Sequence, residues 1–231
     1  MAYRRLPNTD KARVRALKTV LEKCKSNSYP EGPLKASFIS EVNQILHEFD
    51  MAVGRYDHCY KNQIEQGRKV KDKSCKAKLY LSHFIQVLNL SIEREELSHE
   101  IRELYHLPLN SNQIPDLSTD KRMAEWGEKI IEGERIRTQG GGVPIYNPTI
   151  ARVRVFYDLF ATEYREHQHM QELTARQNQM ISSLRPKVDL FIKEMWNTIE
   201  EWIGDKVSFI DKMTIAKEYG IVYYSRNRDK K

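Results

Sequence analysis

The chain has 231 residues, 40% of them apolar and 30% charged, with a formal net charge of +6. With 12 Tyr, 7 Phe and 3 Trp against only 10 Gly and 8 Pro, a disordered chain is excluded and a helical, well-hydrated globular protein is expected. No apolar run approaches the roughly 20 residues of a membrane span, no apolar segment follows the basic N-terminus to make a secretory leader, and the widely spaced Cys24, Cys59 and Cys75 argue for a reducing, cytoplasmic setting without disulfides.

The first predicted element, within residues 1–33, is an amphipathic helix with a basic back. Asn8 or Thr9 caps it near Asp10, since a short polar side chain accepts from the free amides of a first turn. Val14, Leu17, Leu21 and Cys24 recur at steps of three and four, and Arg13, Arg15, Lys18 and Lys25 lie off that stripe. The segment SNSYPEGP at 26–33 ends the helix.

Residues 34–105 read as a long α-hairpin. Ile39, Val42, Ile45, Phe49, Val53, Tyr56 and Tyr60 keep one face apolar to about residue 66, and Leu81, Phe84, Ile85, Leu88 and Ile92 form the stripe of the return helix. The polar, glycine-containing GRKVKDKS at 67–74 is expected to be the turn between them. Residues 106–148 form a connector. Ser118 or Thr119 caps a short crossover helix with Met123, Trp126 and Ile130 on one side, ending near Arg137.

The glycines of QGGGVPIYNP (139–148) come next. A phosphate loop would follow a strand and carry Lys-Ser/Thr after its last glycine; here Val143 and Pro144 follow, and G-x-G-x-x-G is absent. The stretch is expected to be a hinge docked by Val143, Ile145 and Tyr146, with Asn147 capping and Pro148 opening the next helix.

Residues 149–204 repeat the hairpin pattern. Ile150, Val153, Phe156, Phe160, Tyr164 and His167 form one stripe, SSLRP at 182–186 marks a break, and Val188, Leu190, Phe191, Met195, Ile199 and Ile203 form the other. Shifting 39–93 forward by 111 places lays Ile39 on Ile150, Val42 on Val153, Phe49 on Phe160, Leu88 on Ile199 and Ile92 on Ile203 without a gap, although only 8 of 55 pairs are identical. The tail, 205–231, ends in YGIVYY and a basic stretch; with no second strand in view to pair with it, YGIVYY is expected to be an aromatic strap. The predicted fold is therefore all-α: an antiparallel four-helix bundle of two long α-hairpins forming one compact domain, with an internal repeat.

Few constellations point to chemistry. Glu96/His99 and Glu166/His169 have the Glu-x-x-His spacing of di-metal bundles, but both pairs fall off the apolar stripes. His167 lies on a stripe, with Glu163 one turn earlier to hold it. His58, Cys59, Cys75 and His83 flank the expected hairpin turn without zinc-ligand spacing. No catalytic residue, metal or cofactor is expected from these patterns.

Charge is the best lead. Residues 1–27 carry a net +6 and 61–78 a net +5, against −5 over 93–135. Lys and Arg neutralise phosphates without reading bases, so Arg4, Arg5, Lys11, Arg13, Arg15, Lys18, Arg68, Lys69, Lys71 and Lys73 are candidate nucleic-acid contacts. Lys61, Lys76 and Lys78, and Arg226, Arg228, Lys230 and Lys231 at the end, extend these clusters. The first functional reading is a non-enzymatic bundle acting through a protein partner or self-association. Nucleic-acid binding is the second, a di-metal bundle oxidoreductase the third, and membrane association is not expected.

Overall fold

The computed structural model describes residues 2–26, 33–204 and 208–225. The protein is an all-α helical bundle. Its elements are β1 (Ala2–Arg4), α1 (Asp10–Ser26), α2 (Ala36–Glu93), a 3-10 helix (His99–Tyr105), α3 (Asp120–Gln139), α4 (Ile150–Ile203), α5 (Phe209–Glu218) and β2 (Tyr223–Ser225). The Arg226–Lys231 cluster and most of the linker expected at 26–33 lie outside the described residues.

The hairpin turns expected at 67–74 and 182–186 are absent. Both segments are helical, so α2 and α4 are single helices of 58 and 54 residues rather than two hairpins. At the first site Val70, within the polar stretch, and Ala77, just beyond it, are buried. Gly67 is a point of close approach rather than a breaker: a Cβ there would stand 3.3 Å from His167 Nε2. At the second site Pro186 sits inside α4. An interior proline costs a helix about 3 kcal/mol, and the buried Ile181 and Val188 on either side hold the helix through it. Packing overrides both local signals.

The chain forms two compact units, residues 1–59 with 173–231, and residues 60–172. Unit 1 holds α1, the first part of α2, the last part of α4, and α5. Its core centres on Leu17, Val20, Phe49, Ile192, Trp196, Ile199 and Tyr219. The α2 and α4 segments run antiparallel in it, with Phe38 stacked on Phe191 at 5.0 Å and Lys187 3.4 Å from Glu48. Unit 2 holds the rest of α2, the 3-10 helix, α3 and the first part of α4, around Leu81, Phe84, Leu88, Tyr105, Met123, Ile130 and Phe160. There Gln66 bonds Glu163 at 2.6 Å and Tyr80 stacks on Phe156 at 4.3 Å, again antiparallel. Each fully buried Phe or Leu contributes about 1.5–3 kcal/mol.

The repeat seen in the apolar pattern extends to the elements themselves. α1, α2 and the 3-10 helix are followed in the same order by α3, α4 and α5. Buried positions coincide under the same shift: Val42 with Val153, Phe49 with Phe160, Val70 with Ile181, Ala77 with Val188, Leu81 with Ile192 and Leu88 with Ile199. Each unit takes the beginning of one repeat and the end of the other, so α3 packs on the 3-10 helix and α1 on α5.

Local chemistry sets the element ends. Thr9 Oγ1 accepts from Ala12 N at 3.2 Å to start α1, and Thr119 Oγ1 accepts from Arg122 N at 3.3 Å to start α3. Thr149, not Asn147, caps α4, accepting from Arg152 N at 3.4 Å. YGIVYY contains a strand after all: β2 pairs antiparallel with β1, Tyr3 opposite Tyr224. Its partner lies at the far end of the sequence and is only three residues long, too short to show an alternating pattern.

The glycine stretch is a pinned turn. Arg137 Nη2 donates to Val143 O at 2.9 Å, and Glu134 Oε1 accepts from Ile145 N at 3.2 Å. Of the three residues expected to dock it, only Ile145 is buried; Val143 and Tyr146 are exposed. Glu134, Arg137 and Tyr105 form a buried triad beneath, in which burial and the Glu134 carboxylate hold the Tyr105 phenol well above its ordinary range. The connector 106–119 is organised by Arg102, fully buried, which donates to Ser111 O at 2.5 Å, Pro108 O at 3.3 Å and Asn89 Oδ1 at 2.8 Å.

Candidate nucleic-acid interface

The ten basic residues picked out by the sequence fall into three environments. The first is consumed within unit 1. Arg4 donates to Glu200 and Asn197, both at 2.8 Å. Arg13 was expected on the solvent side of α1 and is instead buried, making a bidentate pair with Asp189 at 2.8 Å through both Nε and Nη2. One turn earlier Asp10 takes Arg185 in the same way, at 2.9 and 2.8 Å. The two pairs cross between α1 and α4, and Arg185 beside Asp10 holds its carboxyl below the usual carboxylate range. Arg13 lies on the α4-facing side because the buried arc of α1, which also takes in Ala16 and Val20, is wider than the stripe through Val14, Leu17 and Leu21. Lys18 and Lys11 are exposed and pair with Asp50 at 2.7 Å and Asp57 at 3.9 Å.

The second environment is a cleft in unit 1 lined by Arg5 and Arg15, together with Lys217, Trp196 and Tyr224. No local signal marks it in the sequence, because five separated segments build it.

The third is the polar stretch of α2 in unit 2. Arg68, Lys69, Lys71 and Lys73 are all exposed, as are Lys61, Lys76 and Lys78. Because the helix runs on through 67–74, these side chains do not cluster at a hairpin tip; they lie along its length. The buried face passes through Gln66, Val70, Ala77 and Leu81. At 100° per residue, Lys69, Lys73 and Lys76 form one row flanking that face and Arg68, Lys71 and Lys78 another. Asp72 and Glu65 lie on the ridge between them. None of the four candidate cations forms an ion pair among the described residues, in contrast to Arg4, Arg13, Lys11 and Lys18. From Lys61 to Lys78 the helix advances about 25 Å, so the rows present a linear positive field.

The metal-spacing motifs do not converge. Glu96, His99, Glu166 and His169 are exposed, and among the described residues no three His, Cys, Asp or Glu side chains are placed to share a metal ion. With no hairpin tip, His58 and Cys59 are separated from Cys75 and His83 along one continuous helix. His167 is half-buried over Gly67, and the Glu163 carboxylate expected to hold it accepts from Gln66 instead. Cys24, packed against the unit 1 core, has its thiol pushed up by burial, which disfavours the reactive thiolate. Among the described residues no helix is long and apolar enough to cross a membrane.

No known protein family, curated protein or solved structure matches the chain.

Proposed function

We propose that this is a non-enzymatic helical-bundle protein that binds nucleic acid through its phosphate backbone, with Arg68, Lys69, Lys71 and Lys73 as the contacts. The observation that supports this reading is the run of exposed cations on α2 that form no ion pair among the described residues and outnumber the two carboxylates, Glu65 and Asp72, beside them. Folded proteins place most surface charges near opposite ones; a helix that carries two rows with this excess attracts a polyanion over roughly a Debye length, about 10 Å at 0.1 M salt. Two rows on one helix suit the two backbones bordering a duplex groove, and phosphate contact of this kind is independent of sequence. The action belongs in the cytoplasm on this reading, consistent with three free cysteines.

The test is the salt dependence of duplex binding, followed by fluorescence anisotropy. Each phosphate contact steepens the slope of log K against log salt by about 0.9. Neutralising Arg68, Lys69, Lys71 and Lys73 together is expected to flatten the slope by up to about 3.6. A fourfold rise in salt then weakens the wild type on the order of 150-fold more than the variant. No binding at low salt, or an unchanged slope in the variant, defeats the reading.

A second reading, binding of a protein partner or self-association, is favoured by one feature of unit 2. Val155 and Leu159 stand one turn apart on α4 with about half their surface exposed (57% and 47%), on the side of the helix opposite the buried Val153, Tyr157 and Phe160. A wholly solvated helix has no use for an apolar pair there. Sedimentation velocity checks it: self-association at micromolar concentration that Val155→Asp abolishes supports this reading, and a monomer at all concentrations defeats self-association.

A further inference from the structure

Unit 1 contains a cleft of about 400 Å³ that the α2 reading does not use. Its walls come from the chain after β1 (Arg5, Leu6), α1 (Ala12, Arg15), α4 (Trp196), the end of α5 (Lys217), Val222 just before β2 and Tyr224 within it. The floor is open because its residues are small: Ala12 and Ala16 of α1, and Gly220, whose φ of +78° and close approach to Thr19 leave little room for a side chain. Arg5 N donates to Val222 O at 3.1 Å, which extends the β1–β2 pairing and fixes the rim.

Two features distinguish this cleft. The first is charge. Among the described residues Arg5, Arg15 and Lys217 line it, no Asp or Glu does, and none of the three is in an ion pair. Arg5 lies over the Tyr224 ring, 5.5 Å from its centroid, so its guanidinium is held at the rim rather than swinging free in solvent. The second is an unanswered donor. Trp196 is 1% exposed, and its Nε1–H is buried without an acceptor among the described residues. Buried indole N–H groups ordinarily find a partner.

We propose that the cleft binds a phosphorylated small molecule with a flat apolar body, of the nucleoside mono- or diphosphate class. Arg5, Arg15 and Lys217 hold the phosphate, and the Tyr224 ring and Val222 carry the body, beside the buried Trp196 indole. Three cations overmatch the single charge of a carboxylate. A phosphomonoester with −1.5 to −2 charge, or a diphosphate, balances them. The volume lies at the small end of the range for ligand sites, roughly 300–1,000 Å³, which admits a mononucleotide and not a dinucleotide.

Calorimetric titration of the full chain with adenosine 5′-monophosphate and 5′-diphosphate tests the site, with adenosine and inorganic phosphate as controls. Micromolar to sub-millimolar binding of a nucleotide, at least tenfold tighter than either control, is expected. The exposed pair Arg15→Ala/Lys217→Ala is expected to weaken it at least tenfold with an unchanged far-ultraviolet spectrum. In ¹⁵N-labelled protein the Trp196 indole resonance, assigned by elimination with Trp126→Phe and Trp202→Phe, shifts on titration. Absence of nucleotide binding at millimolar concentration, equal affinity in the double variant, or a stationary Trp196 resonance overturns the proposal. Phosphate binding as tight as nucleotide overturns the role of the apolar wall. Duplex binding by the double variant stays at the wild-type level, so the two sites fail or stand separately.

Discussion

Glu134→Gln is the most incisive perturbation of unit 2. The Glu134 carboxylate is fully buried and accepts four hydrogen bonds: from Tyr105 Oη, from Arg137 Nε and Nη2, both at 2.8 Å, and from Ile145 N at 3.2 Å. Every one of these partners is a donor. Glutamine keeps the shape, replaces one acceptor oxygen by a second donor, and removes the charge that neutralises Arg137, whose side chain is itself only 3% exposed. Removing one partner of a buried pair costs about 3–5 kcal/mol, because the remaining charge stays desolvated. For a unit of this size that is a fall in Tm of about 10–20 °C. Urea unfolding monitored by circular dichroism gives the loss directly, and hydrogen exchange at the Ile145 amide reports whether the 142–146 turn is released. Replacing all three groups, as Tyr105→Phe/Glu134→Leu/Arg137→Leu, removes the unpaired charge and recovers part of the loss. A loss below about 1 kcal/mol in Glu134→Gln, or an Ile145 amide as protected as in the wild type, refutes the assignment of the turn to this triad.

Three further outcomes follow from the same geometry. Pro186→Ala restores an amide donor inside α4 and is expected to stabilise the protein by up to about 3 kcal/mol, read as a higher midpoint in urea. Gly127→Ala and Gly67→Ala separate two glycine roles. A Cβ at 127 falls 2.1 Å from Tyr157 Cε2 and is expected to cost at least about 1–3 kcal/mol, whereas at 67 it stands 3.3 Å from the His167 ring and the thermal midpoint changes little. Asp10 sets part of the acid limit. Its folded pKa lies below the unfolded value near 3.8, chiefly because of Arg185; its contribution is therefore present above that value and lost as pH falls through the folded pKa. In Asp10→Asn the stability–pH curve between pH 5 and 2 is expected to be flatter than in the wild type, and equal slopes refute the Asp10–Arg185 assignment.

The apolar periodicity of this sequence determined by itself that the chain is helical and where most buried side chains sit. Val42, Phe49, Leu81, Leu88, Val153, Phe160, Met195 and Ile199 are buried as the stripes require, whereas Leu190 is exposed. It also narrowed the caps to Asn8 or Thr9 and to Ser118 or Thr119, because capping is a contact between near neighbours in the chain, and Thr9 and Thr119 take those places. Only the tertiary structure decided whether α2 and α4 bend back or run on. The polar stretch around Gly67 and the proline at 186 are local break signals, and the burial of Val70, Ala77, Ile181 and Val188 beside them outweighs both. Charge runs likewise read the same from the sequence at both ends of the candidate set. Arg4 and Arg13 are spent on Glu200 and Asp189, nearly two hundred positions away, while Arg68, Lys69, Lys71 and Lys73 have no such partner among the described residues. The cleft around Trp196 was illegible for the same reason: its donors, cations and aromatic wall come from five segments that only folding brings together. Periodicity is a property of consecutive residues, and pairing across the fold is not.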